Sequence, residues 1–77
     1  MRLDLIDALI RRYEGDVLAA RANIKTYVEG PVGIGEHPDI VGAVHEEIVK
    51  LAEARELLGN AMDMRKSLEP AAEPEDV

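Results

Sequence analysis

The chain contains no cysteine, phenylalanine or tryptophan, and tyrosine occurs only twice in its 77 residues. Without cysteine, neither a disulfide nor a thiolate-bound metal can stabilise a small fold, which fits a reducing compartment. The core must therefore be aliphatic. A single core is marginal at this length, so packing against another chain would add a large share of stability.

Long hydrophobic runs and a basic excess are also missing. No apolar run approaches the roughly 20 residues of a membrane-spanning helix, and no signal-peptide pattern opens the chain. The net charge is −7: residues 1–30 carry five basic and five acidic side chains, and residues 31–77 carry four and eleven. We therefore expect a cytoplasmic protein that binds neither membranes nor duplex DNA, because duplex binding needs a basic face.

Two long heptad patterns predict an all-α fold. The first helix is expected over about residues 3–29 and the second over about 38–68, with a loop at 30–37 and a disordered acidic tail at 69–77. The first seam consists of Leu3, Ile6, Ile10, Tyr13, Val17, Ala20, Ile24 and Tyr27. The second consists of Val41, Val44, Ile48, Leu51, Arg55, Leu58 and Met62. An antiparallel hairpin pairs residues whose numbers total about 68, which places Tyr13 opposite Arg55.

The loop is delimited by helix-breaking residues. Gly30-Pro31 ends the first helix, and Pro38 suits the first turn of the second, with His37 at the cap position. Gly33 and Gly35 give the loop backbone freedom, and their N–H groups at a helix start, with His37 beside them, could hold an anion. A helix connector that holds no ligand is the alternative, and it is favoured by the acidic residues beside the loop.

Apolar residues remain outside both seams, and they predict a homo-oligomeric helical bundle. They form a second stripe at the end of the hairpin away from the loop. Its members are Leu5, Leu9, Ala54, Leu57, Ala61, Met64 and Leu68.

The sequence offers one further candidate ligand site and no candidate for catalysis or metal binding. Arg11, Arg12, Tyr13 and Arg55 could line an oligomer cleft suited to a phosphate and a stacked base, although ordinary surface charge is the simpler interpretation. The two histidines lie eight residues apart, about 12 Å along a helix, too far to share a metal. Neither Thr26 nor Ser67 has an evident histidine partner, so we expect no enzyme and no cofactor.

The stretch Gly30-Pro31-Val32-Gly33-Ile34-Gly35-Glu36-His37-Pro38-Asp39-Ile40-Val41 resembles the connector of small, mostly uncharacterised helical-hairpin proteins of tailed bacteriophages. The resemblance covers the loop closely and the helices by pattern. It implies a virus-encoded protein that works in the host cytoplasm or in the particle.

Three functions are open at this point. The first, which we favour, is an oligomeric interaction module that binds a host or viral protein. The second is a counter-defence protein that sequesters a nucleotide second messenger or another small anion at an oligomer cleft. The third is a minor structural protein of the virion.

Overall fold

The computed structural model describes residues 2–30 and 39–70. Within these ranges the chain forms two α-helices that pack against each other as a hairpin, α1 over Arg2–Glu29 and α2 over Ile40–Leu68. The all-α hairpin expected from the sequence is confirmed. Most of the predicted loop, with Gly33, Gly35 and His37, and residues 71–77 of the predicted acidic tail lie outside the described residues.

The helix ends follow from local chemistry. At the end of α1, the Gly30 N–H donates to the carbonyl of Thr26 at 2.9 Å. The N-cap of α2 is Asp39, whose side chain accepts a hydrogen bond from the Gly42 N–H at 2.9 Å. Aspartate is a preferred N-cap residue, and it takes the capping position that the sequence analysis expected His37 to occupy.

The seam predicted for α1 is confirmed. Ile10 and Ala20 are buried, and the other six members are half-buried. The steps of three and four residues keep all eight side chains on one side of the helix, and this side faces α2.

The seam predicted for α2 is correct at Val44, Leu51 and Leu58 and wrong at its other four positions. Val41 is 81% exposed, Ile48 50% and Met62 53%, and Arg55 is also exposed. The inward positions that replace them are one residue earlier: Ile40, Glu47, Ala54 and Ala61. Because the other three inward positions are unchanged, the centre of the seam is turned by about half a residue step, or about 50°, from the expected orientation.

This turn also corrects the stripe expected between chains. Ala54 and Ala61 were expected there, but they are 4% and 9% exposed within one chain, so little of their surface is left for a second one. The pairing of the helices differs as well. Asn23 bonds to Glu47 and Asp7 to Arg65, pairs whose numbers total 70 and 72 where about 68 was expected. Arg55 consequently does not lie opposite Tyr13.

Candidate functional site

The hairpin exposes more large apolar side chains than it buries. Among the described residues, the apolar side chains counted as buried are those of Ile10, Ala20, Ala54 and Ala61. Ten larger ones are at least 42% exposed: Leu5, Leu18, Val28, Val41, Ile48, Val49, Leu57, Met62, Met64 and Leu68. Contiguous exposed apolar surface on a small protein typically marks a contact with another molecule.

One exposed apolar group lies at the end of the hairpin where α1 begins and α2 ends. We call it the open-end stripe, and its members are Leu5, Leu9, Leu57, Met64 and Leu68. Leu5 is 72% exposed, Met64 and Leu68 are each 51% exposed, and Leu9 is half-buried. These are the five members of the predicted oligomer interface whose side chains are not already buried in the hairpin.

Two grooves run between the helices on opposite sides of the hairpin. The acidic groove has a volume of about 290 Å³ and is lined by Asp16, Ala19, Ala20, Asn23, Glu47, Lys50, Glu53, Ala54 and Leu57. The basic groove has a volume of about 720 Å³ and is lined by Leu18, Arg21, Ala22, Ile24, Lys25, Val28, Glu29, Leu51 and Arg55. They face opposite ways because their α1 residues flank the seam on either side, at about 100° per residue.

Glu47 is the buried charge of the acidic groove. Its side chain is 10% exposed and accepts hydrogen bonds from Asn23 Nδ2 at 3.1 Å and from Lys50 Nζ at 3.2 Å. The Asn23 hydrogen bond is the main reason that the pKa of Glu47 is lowered; burial opposes it, and Lys50 adds to it. This contact was not predicted from the sequence. The signal for it was the apolar series at Ile40, Val44, Leu51 and Leu58, which includes position 47.

The basic groove combines three basic side chains with exposed apolar ones. Arg21 and Lys25 come from α1 and Arg55 from α2, and Leu18 and Val28, on either side of the two α1 cations, are 65% and 66% exposed. Among the described residues none of the three cations makes a hydrogen bond or an ion pair.

An ion-pair cluster lies farther towards the open end. Arg65 Nε donates to Asp7 Oδ1 at 2.6 Å, and Arg65 Nη1 also bonds to Glu69. The hydrogen bond from Arg65 lowers the pKa of Asp7 against an opposing effect of burial, and the same contact raises the pKa of Arg65. Next to this cluster, Arg11 pairs with Glu14 at 3.0 Å. The charges here are largely neutralised within the chain.

The four residues predicted for a nucleotide cleft do not converge within one chain. Arg11 lines the groove of the ion-pair cluster, and Arg55 lines the basic groove. Arg12 is exposed on the other side of α1, and Tyr13 is half-buried on the seam. A cleft that contains all four would have to be completed by a second chain.

Two other kinds of site are absent from the described residues. These residues contain no group of three or more histidine or acidic side chains placed to hold a metal ion. Neither α1 nor α2 combines the length and the apolar character that a membrane span requires.

The chain was also compared with known proteins. It matches no protein-family model, no curated protein and no solved structure.

Proposed function

We propose that this chain is a small, non-enzymatic interaction module that self-associates and binds a host or viral protein. The observation that supports it is the excess of exposed apolar side chains over buried ones in a two-helix hairpin. A single interface between two helices provides only a small hydrophobic core for an 8.5 kDa chain. Helical hairpins of this kind commonly form a bundle with a second copy.

The open-end stripe is the surface that we assign to self-association. Its apolar members come from both helices, so a second copy would bury side chains from α1 and α2 together, and at Leu57 the stripe borders the acidic groove. A two-fold contact suits it, because the same patch then serves both partners. The bundle formed in this way is the homo-oligomer expected from the sequence.

A protein partner is favoured over a nucleotide because Arg11 is already paired with Glu14 and because Arg11, Arg12 and Arg55 point to different surfaces. The connector resemblance adds to the proposal that the module is phage-encoded and acts in the host cytoplasm or in the particle. It contributes nothing about which protein is bound.

The test of self-association is the mass of the purified chain in solution by native mass spectrometry and analytical ultracentrifugation. The wild type is expected at a multiple of 8.5 kDa. Leu57→Asp puts a carboxylate into the open-end stripe, at a cost of about 3 kcal/mol or more, which weakens association at least about a hundredfold.

Val49→Asp is the matched control, since Val49 is an equally exposed apolar residue of α2 outside that stripe. It should leave the oligomer intact. A wild type that remains monomeric at every concentration, or an L57D mass equal to that of the wild type, would remove the stripe as an interface.

A further inference from the structure

The basic groove concentrates unpaired positive charge on an acidic protein. Arg21, Lys25 and Arg55 make no ion pair among the described residues, whereas Arg11, Lys50 and Arg65 are each paired with a carboxylate. The chain holds 16 acidic and 9 basic side chains, so carboxylates are in excess overall. Only Glu29 is acidic among the residues that line this groove.

The groove also offers apolar surface along its length. Leu18 and Val28 are exposed at its two ends, ten residues or about 15 Å apart along α1, and Leu51 is half-buried between the helices. Beyond Val28 a second apolar cleft continues towards the connector, with Val41 and Ile48 exposed in it. A trough between two helices with this length and an apolar floor accommodates about three turns of a third helix.

We propose that the basic groove binds an acidic amphipathic helix of the partner protein. Its apolar residues at i, i+3 or i+4, and i+7 would pack over Leu18 and Val28, and its carboxylates would pair with Arg21, Lys25 and Arg55. The proposal rests on the proposed function as an interaction module and specifies the chemistry of the partner segment.

The positive charge of the basic groove favours an acidic partner helix over a second copy of this chain bound through the same groove. Two copies packed groove to groove would bring both sets of three cations together, and like charges at close range oppose association. An acidic partner instead supplies the carboxylates that the groove lacks. The complementary charges would also speed the encounter of the two proteins, and added salt would slow it.

The experiment is a display selection on the full-length chain. The library consists of amphipathic peptides with fixed leucines at i, i+3, i+4 and i+7, and with polar positions that sample glutamate, glutamine and lysine equally. Binders to the wild type should be enriched in glutamate over lysine. The double variant Arg21→Glu/Arg55→Glu should reverse that preference and should weaken the best wild-type peptide by at least about tenfold.

Arg12→Glu is the matched control, because Arg12 is an exposed, unpaired arginine of the same helix outside the groove. It should leave both the preference and the affinity unchanged. Circular dichroism checks that each variant is folded, and Lys25→Glu replaces the double variant if that one is not.

Amide chemical-shift mapping locates the bound peptide. Shifts along the basic groove support the proposal, and equal enrichment of glutamate and lysine overturns it. Peptides that map to the acidic groove or the open-end stripe would overturn the assignment of the basic groove as the binding site but would agree with the proposed interaction module. A library that yields no binders would count against both the basic-groove site and the interaction module. A chain without residues 71–77 that binds the peptide at least about tenfold tighter would assign the groove to the chain's own acidic tail and overturn the external partner.

Discussion

The orientation of α2 can be tested by one pair of substitutions. Ala54 is 4% exposed on the side of α2 that packs on α1, and Ala52, two residues earlier, is exposed. Replacing either alanine by aspartate makes the same chemical change and carries the same loss of helix propensity, below about 1 kcal/mol. Only Ala54→Asp also places a carboxylate inside the hairpin, in the groove that already holds the buried Glu47.

The cost of that burial is large for a domain of this size. An unpaired buried charge costs about 3 kcal/mol or more, and Lys50, the cation that lines this groove, is already bonded to Glu47. A chain of 77 residues has a total stability of roughly 4–12 kcal/mol, and each kcal/mol shifts the melting temperature by about 4–8 °C. A54D should therefore melt about 12 °C or more below the wild type.

The assay is thermal unfolding followed by circular dichroism at 222 nm, with both variants at one protein concentration. Ala52→Asp should lower the melting temperature only slightly. Equal losses in the two variants, or an A54D that melts with the wild type, would refute the rotation of α2 described here. The seam centred on Ile48, Arg55 and Met62 would then be the better description.

The remaining predictions concern the pH dependence of stability at Glu47 and Asp7, and alanine substitutions at Gly15 and Gly42. The folded-state pKa of each carboxyl is lowered below its ordinary value, 4.5 and 3.8, so the stability it contributes is present above that value and is lost as pH falls through the folded pKa. In urea titrations, Glu47→Gln should be less stable than the wild type at pH 7, and this difference should shrink as pH falls below about 4.5; a difference that is constant with pH would contradict it. Gly15→Ala should stabilise by up to about 1 kcal/mol because alanine has the higher helix propensity and, outside the neighbouring residues and the helix backbone, no atom lies within 4 Å of the added carbon. At Gly42 the same substitution places that carbon 2.8 Å from Asp39 Cγ and displaces the N-cap, so little gain is expected in melting temperature; a gain equal to that of G15A would show that the cap is dispensable.

The orientation of α1 was predictable because one series of apolar residues dominates that helix. Two series compete in α2, and they share Val44, Leu51 and Leu58. The predicted series adds three large apolar residues and Arg55, while the series that faces α1 adds Ile40, Glu47 and two alanines. Ranking the two series by hydrophobicity therefore selects the wrong one. Such a ranking does not take into account that the small side chains of Ala54 and Ala61 let α1 and α2 pack closer together.

The burial of Glu47 could not be predicted from the sequence either, because it depends on a hydrogen-bond partner from the other helix. A carboxylate can occupy an inward position when hydrogen bonds replace water, and Asn23 supplies one of them from α1. Which asparagine meets which glutamate depends on the offset between the helices. The heptads alone do not determine that offset to within two residues.

The distribution of charge over the surfaces of the hairpin differs from its distribution along the sequence. The whole excess of negative charge lies in residues 31–77, which suggests an acidic second helix and a neutral first one. In the hairpin, however, Arg55 of α2 joins Arg21 and Lys25 of α1 on one side, and Asp16 of α1 joins Glu47 and Glu53 on the other. Identical copies therefore repel each other if they meet through either groove. The members of the open-end stripe are themselves uncharged, so the self-association proposed there would avoid most of this repulsion and would leave the basic groove free for a partner of opposite charge.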